Sequence, residues 1–196
     1  MKTENLQEWI GKTEEREDLL TSFPASAMAA TLNHEQLDYS KNKNLPPLWH
    51  WLYFLPIFKL SEAGYDGHAA LGDFLPPVQL PRRMWAGSRI DFLSPLKVGH
   101  EYKKKSKIKN VTAKSGRSGD LVFVTVSHEV SNGRTVCINE EHDIVYREKA
   151  TNSSGATKLE EAPKDFDFSF NINPDPVLLF RYSALTFNGH RIHYDY

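Results

Sequence analysis

From Glu4 to Leu32 apolar positions recur at helical spacing: Leu6 and Ile10, then Leu19 and Leu20. Thr21 or Ser22 with Pro24 then stands where it would open a small-residue helix, Ala25 to Leu32. Two short helices are predicted there. From Leu45 to Arg83 prolines punctuate the chain repeatedly. They confine this stretch to loops, extended pieces and single turns packed by Trp49, Trp51, Tyr53 and Phe54. Beyond Trp85 the pattern changes to long strands separated by turn residues, as in an antiparallel meander. Gly87 to Leu93, Glu101 to Lys114, Leu121 to Val130 and Thr135 to Arg147 are the predicted strands. Ser115 to Gly119 and the Asn132-Gly133 pair are the turns.

Lys149 to Lys164 is small, polar and charged, the composition of a linker. A second unit follows. Phe166, Phe168, Phe170 and Ile172 alternate on one face, which predicts a half-buried strand, and Pro174 to Tyr182 begins a further element. A diverged duplication, with a second domain started and cut off, fits this order.

The 196 residues suit one domain and part of another, and 40% hydrophobic, 25% charged and 12% aromatic residues describe a chain that folds. A net charge of -1 gives no global field for nucleic acid or an anionic membrane. The single cysteine, Cys137, excludes a disulfide framework and suits a reducing, cytoplasmic setting. Met1 to Asp18 lacks a signal-peptide run, and the most apolar stretch, Leu45 to Leu60, is broken by Pro46, Pro47 and Pro56, so no membrane span is expected.

The block Phe180 to Asp195, FRYSALTFNGHRIHYD, resembles the start of the catalytic half of the MaoC-like and mitochondrial 3-hydroxyacyl-thioester dehydratases. Earlier blocks agree: PPLWHWLYFLP from Pro46, FLPPVQLPRRMWAGSRIDF from Phe74 and TAKSGRSGDLVFVTVSHE from Thr112. Together they are similar to the N-terminal part of double-hot-dog hydratases of the mesaconyl- and itaconyl-CoA type. The resemblance implies an α+β, hot-dog fold: a long antiparallel sheet with helices on one side, plus the incomplete start of a second hot-dog domain. Residues 1–149 would be a substrate-holding hot-dog-like domain, 150–164 a linker, and 165–196 the truncated opening of a catalytic one.

The family's motif is Asp-x-Asn-Pro-x-His. Laid on this chain, the histidine falls on His193 and the aspartate on Asn188, while His190 and Arg191 stand where the family has Asn-Pro. The resemblance therefore implies His193 as general base in hydration. Asn188 would orient the water, because an amide can donate and accept hydrogen bonds but cannot take a proton. An unperturbed pKa of about 6.5 lets the same histidine return the proton. The enolate oxygen needs amide donors, which in this family come from the N-terminus of a central helix expected after Tyr196. Arg82, Arg83 and Arg89, with His190 and Arg191, are candidates to meet the substrate's phosphates or carboxylate. The expected function is reversible hydration of a 2-enoyl thioester, in particular a CoA ester of a short branched dicarboxylic acid. The thioester is substrate, no cofactor is required, and a homodimer or a second hot-dog domain is the expected partner.

Plainer readings stand beside these. Asn188 could be a cap, Arg191 could pair with Asp195, and Arg82 and Arg83 could solvate a loop. Lys103 to Lys105 alternates across a strand and reads as a charged, aggregation-resistant segment. His50 reads as packed in the apolar segment, His128 and His142 as unrelated strand residues with no metal-ligand spacing, and Cys137 as a buried hydrophobe. Two rival functions are a non-catalytic acyl-thioester-binding subunit completed by a partner chain, and a thioesterase.

Overall fold

The computed structural model describes residues 6–116, 119–149, 161 and 164–194. Its centre is a five-stranded antiparallel sheet: β1 (Thr13–Leu19), β2 (Arg82–Phe92), β3 (Glu101–Gly116), β4 (Gly119–Ser131) and β5 (Val136–Arg147), in the order β1-β3-β4-β5-β2. The three long hairpin-connected strands fall where alternation places them. Their turn at Asn132-Gly133 is a longer loop: Gly133 takes φ +83, and the Asn132 carboxamide accepts from the backbone of Arg134 and Thr135. The linker prediction and the Arg117-Ser118 part of the other turn lie outside the described residues.

The N-terminus differs from its helical reading. A 3-10 turn at Gln7–Trp9 is followed by β1, and among the described residues of this stretch only Ser22–Thr31 is α-helix, α1. The sequence TEEREDL becomes a strand because a charged partner edge is available. Glu15 and Glu17 pair with Lys103 of β3, Glu15 also with Lys105, while on the other face Asp18 accepts from the Phe54 backbone N–H. Tertiary pairing overrides local propensity here, and the charges protect an exposed edge. Residues 82–86 likewise join β2, so Arg82 and Arg83 lie on a strand opposite Arg147 and Tyr146, not in a loop.

One face of the sheet is covered by α1 and the long segment between α1 and β2. Ala25 and Ala29, fully buried at one-turn spacing, let α1 lie close to the sheet with Met28. Apolar side chains form two clusters on this face, one around α1, Leu52, Tyr53, Val130 and Ile138, the other around Leu80, Ile108, Val122, Val124, Val126 and Tyr146.

Between the clusters the face is polar. Glu140, 4% exposed, accepts from His50 Nε2 at 3.1 Å, Trp51 Nε1 at 3.0 Å and His142 Nε2 at 2.5 Å. His128 packs its ring 4.8 Å from that of His142 and bonds Ser106 Oγ through Nδ1 at 2.9 Å. The sequence reading kept these histidines apart; the register joins them. Period-two alternation sets residues 140 and 142 on one face, and antiparallel pairing places His128 opposite Glu140. Burial alone would raise the Glu140 carboxyl, but the hydrogen bonds from His142 and His50 hold it well below the usual carboxylate range. Burial, with the Lys104 charge beside it, pushes His128 down to about 3.

Beyond the linker, Phe166 to Ile172 forms no strand: Phe166, Phe168, Phe170 and Ile172 are 61% to 79% exposed. An alternating apolar segment becomes a strand only against another strand's edge, and none of the described strands pairs with it. Pro176–Leu185 is a helix, α2, with Pro176 at its first turn and Asp175 capping the Leu178 N–H at 2.8 Å. It packs on α1, and Leu185 reaches the first core cluster. No helix among the described residues is long and apolar enough to cross a membrane.

Glu140→Ala should destabilise the fold by about 3 kcal/mol, since it strands buried donors on His50 and Trp51; urea unfolding measures it. Acid should destabilise too. A histidine held at low pKa stays neutral in the fold while the unfolded chain binds a proton below about 6.5. Its contribution is full above that pH and shrinks as pH falls toward the folded value. Between pH 6.5 and 5 the wild type should lose about 1–2 kcal/mol more than His128→Asn. Equal pH dependence in the two would contradict the assignment.

Candidate active site

The chain leaves α2 in a tight turn. Phe187 takes φ +49, the Asn188 N–H returns to the Ser183 carbonyl at 2.8 Å, and Arg191–His193 forms a 3-10 turn capped by His190 Nδ1, which accepts from the Ile192 N–H at 3.1 Å. This folding closes the five-residue spacing between Asn188 and His193. Asn188 Nδ2 lies 3.2 Å from His193 Nε2, and Asn188 Oδ1 accepts from the His190 N–H at 3.1 Å. Because Oδ1 is taken by a donor, the amide presents its N–H to the ring. His193 Nε2 therefore meets it with a lone pair, the tautomer that can take a proton from water.

A loop of the proline-rich stretch holds this turn. Phe58 packs edge-on against Phe187, with ring centroids 5.6 Å apart. The Asp66 carbonyl accepts from the Arg191 N–H at 3.2 Å, and the His68 ring lies 5.1 Å from that of His190. Gly67, at φ +85, lies flat against Gly189: a Cβ on Gly189 would come 2.7 Å from the Gly67 carbonyl oxygen. The loop closes on itself through the Gly64 N–H to His68 carbonyl bond at 2.6 Å and an Ala63–Ala69 bridge. The Asp66-Gly67 dipeptide, a strong turn signal, is the sequence feature that marks this loop, and the sequence reading passed over it.

Arg83 is tied to the same loop. Its guanidinium meets the Asp66 carboxylate through Nε at 3.2 Å and Nη2 at 3.0 Å, with both side chains 13% exposed. Beside this pair lies a cavity of about 290 Å³, lined by Tyr65, Leu71, Leu80, Arg83 and Tyr146 among others. Burial, then the Arg83 charge, pushes His68 down to about 4, and burial lowers His190 as well. The rings next to His193 are thus neutral near pH 7.

The remaining candidates lie elsewhere. A β-bulge at Trp85/Gly87 shifts the parity of β2, so Arg89 emerges on the sheet face opposite Arg83. There it binds Glu141 at 2.9 Å and Asp143 at 2.6 Å. Lys109 and then Arg89 hold the Glu141 carboxyl low, and Arg89 does the same for Asp143. Arg82 is exposed at the start of β2. Neither Arg82 nor Arg89 joins the Asn188–His193 pair, and the suggested Asp195 partner of Arg191 lies outside the described residues.

The profile of the hydroxyacyl-thioester dehydratase type 2 family matches residues 48–196, which include both the loop and the turn. The chain belongs to this family. Over 187 residues it is 48% identical to the mesaconyl-C(4)-CoA hydratase of Chloroflexus aurantiacus, covering 95% of this chain and 67% of that protein. It is 26% identical to the mitochondrial hydroxyacyl-thioester dehydratase type 2 of Schizosaccharomyces pombe, covering 91% and 68%. A MaoC-like dehydratase of Phytophthora capsici superposes with a TM-score of 0.64 at 12% identity over 100% of this chain and 68% of that one. HtdX of Mycobacterium tuberculosis does so with a TM-score of 0.56 at 19% identity, covering 94% and 64%. The dehydratase-family chain thus has the α+β hot-dog fold and spans about two thirds of the length of these relatives.

Arg83→Ala should cost the dehydratase-family fold about 2 kcal/mol, because it leaves the partly buried Asp66 carboxylate without its partner. Arg83→Lys, which keeps charge but not the fork, should recover part of this in the same denaturation measurement.

Proposed function

We propose that the Asn188–His193 pair carries the reversible hydration and dehydration of 2-enoyl and 3-hydroxyacyl thioesters. The carrying observation is the amide held 3.2 Å from a basic ring nitrogen at the family's motif position. In hydration, a water enters between the two side chains in place of their direct contact, accepts from Asn188 Nδ2 and donates to His193 Nε2. As the ring takes the proton, the C–O bond forms at the β-carbon and the π electrons move onto the thioester oxygen. The ring then returns its proton to the α-carbon, so water is added overall and no redox cofactor takes part.

The substrate we propose is a CoA ester of a short branched dicarboxylic acid. A 48% identical relative named for mesaconyl-C(4)-CoA supports it, as does a cavity of about 290 Å³ beside the Arg83–Asp66 pair, at the small end of ligand pockets. Arg83 edges that cavity and is the side chain we assign to the acyl carboxylate; its bonds to Asp66 and to the Ala69 carbonyl run through Nε and Nη2. The reading includes a cytosolic setting and pairing with a second hot-dog unit or a second copy.

The test is loss of enoyl absorbance with mesaconyl-CoA and crotonyl-CoA. His193→Ala should lower kcat/KM by about a hundredfold or more. Equal rates in wild type and variant would remove His193 from the reaction, and acyl-CoA binding without turnover would favour a binding subunit.

A further inference from the structure

We propose that Asp66 and Gly67, held to the sheet by Arg83, are positioning residues: a latch, built on the substrate-holding unit, that sets the angle between Asn188 and His193. The proposal rests on the hydratase reading of that pair. Between α2 and His193 the chain contributes only short turns, and neither Asn188 nor His193 is buried. Such a segment has little packing of its own to hold an imidazole in one orientation. The loop supplies what the turn lacks, and it does so at three points. The Asp66 carbonyl takes the Arg191 N–H, Gly67 lies backbone to backbone on Gly189, and Phe58 stacks edge-on against Phe187. Gly189 separates Asn188 from His190, whose N–H orients the Asn188 carboxamide, so pressure on Gly189 turns the amide directly.

The requirement for glycine is specific. A Cβ on Gly67 would fall far inside van der Waals contact distance of the Gly189 carbonyl oxygen, and the Tyr194 hydroxyl lies 3.3 Å from the same point. The loop cannot retreat easily, because the Asp66 carboxylate is clamped by Arg83 from β2 and also accepts from the His68 N–H at 3.1 Å. Any side chain at residue 67 therefore moves the turn rather than the loop. Displacements of about 1 Å in reacting groups cost about a hundredfold in rate.

The test compares Gly67→Ala with Gly133→Ala. Both glycines sit at nearly equal positive φ, +85 and +83, so backbone strain is matched, but a Cβ on Gly133 meets nothing within 4 Å. We expect Gly67→Ala to lose about a hundredfold in kcat with little change in KM, and to shift the His193 imidazole resonances and their titration midpoint. Gly133→Ala should lose similar thermal stability yet keep kcat and the His193 resonances. If both variants keep wild-type His193 resonances and kcat, the latch is overturned. If the wild type turns over no enoyl thioester, the hydratase reading fails, while the imidazole resonances still decide the latch. Should Gly67→Ala not fold, Asp66→Ala decides in the same way: shifted His193 resonances support the latch and unshifted ones overturn it.

Discussion

A buried carboxylate organises this fold. Glu140 lies on the covered face of a central strand, where an unpaired charge would cost several kcal/mol. It is tolerated because His50, Trp51 and His142 all donate to it. Two of these donors belong to the proline-broken segment that otherwise has no regular structure to hold it. The carboxylate therefore pins Trp49–Leu52 to the sheet, and that anchor fixes where the loop containing Phe58, Asp66 and Gly67 begins. The same loop meets the turn that carries Asn188 and His193. Sheet, aromatic segment, loop and the Asn188–His193 turn form one mechanical series, with the Arg83–Asp66 ion pair as a second tie to the sheet.

The chemistry follows from where charge is allowed to sit. Near neutral pH His68 and His190 are kept uncharged by burial, so they add no positive charge next to His193. The arginines divide by strand parity. Arg83 faces the loop and edges a small cavity, whereas Arg89, past the bulge in β2, is neutralised by Glu141 and Asp143 on the far face of the sheet. A strand that changed face by one residue thus decides which guanidinium faces the cavity.

Much of this was legible from the residues. The strands from Glu101 to Arg147 follow alternation, and the motif spacing picked out Asn188 and His193, which the turn brings together. What escaped was set by contacts distant in sequence. Thr13–Leu19 looks helical until its glutamates meet the lysines of β3, and Phe166–Ile172 alternates like a strand but has no partner edge among the described residues. Glu140, His142, His128 and His50 lie far apart in the chain and join only through register. The Asp66-Gly67 turn was visible as a dipeptide, but its role depends on Gly189 being opposite, which no local pattern encodes.

The proposed reaction adds water to an enoyl thioester without breaking the thioester. Incubation with mesaconyl-CoA in D2O, followed by mass spectrometry of the acyl-CoA and assay of free thiol, tests it most directly. Hydration by the Asn188–His193 pair leaves an intact thioester that has gained the elements of water, with one deuterium bound to its α-carbon. Release of free CoA from an acyl group that keeps its double bond would contradict it.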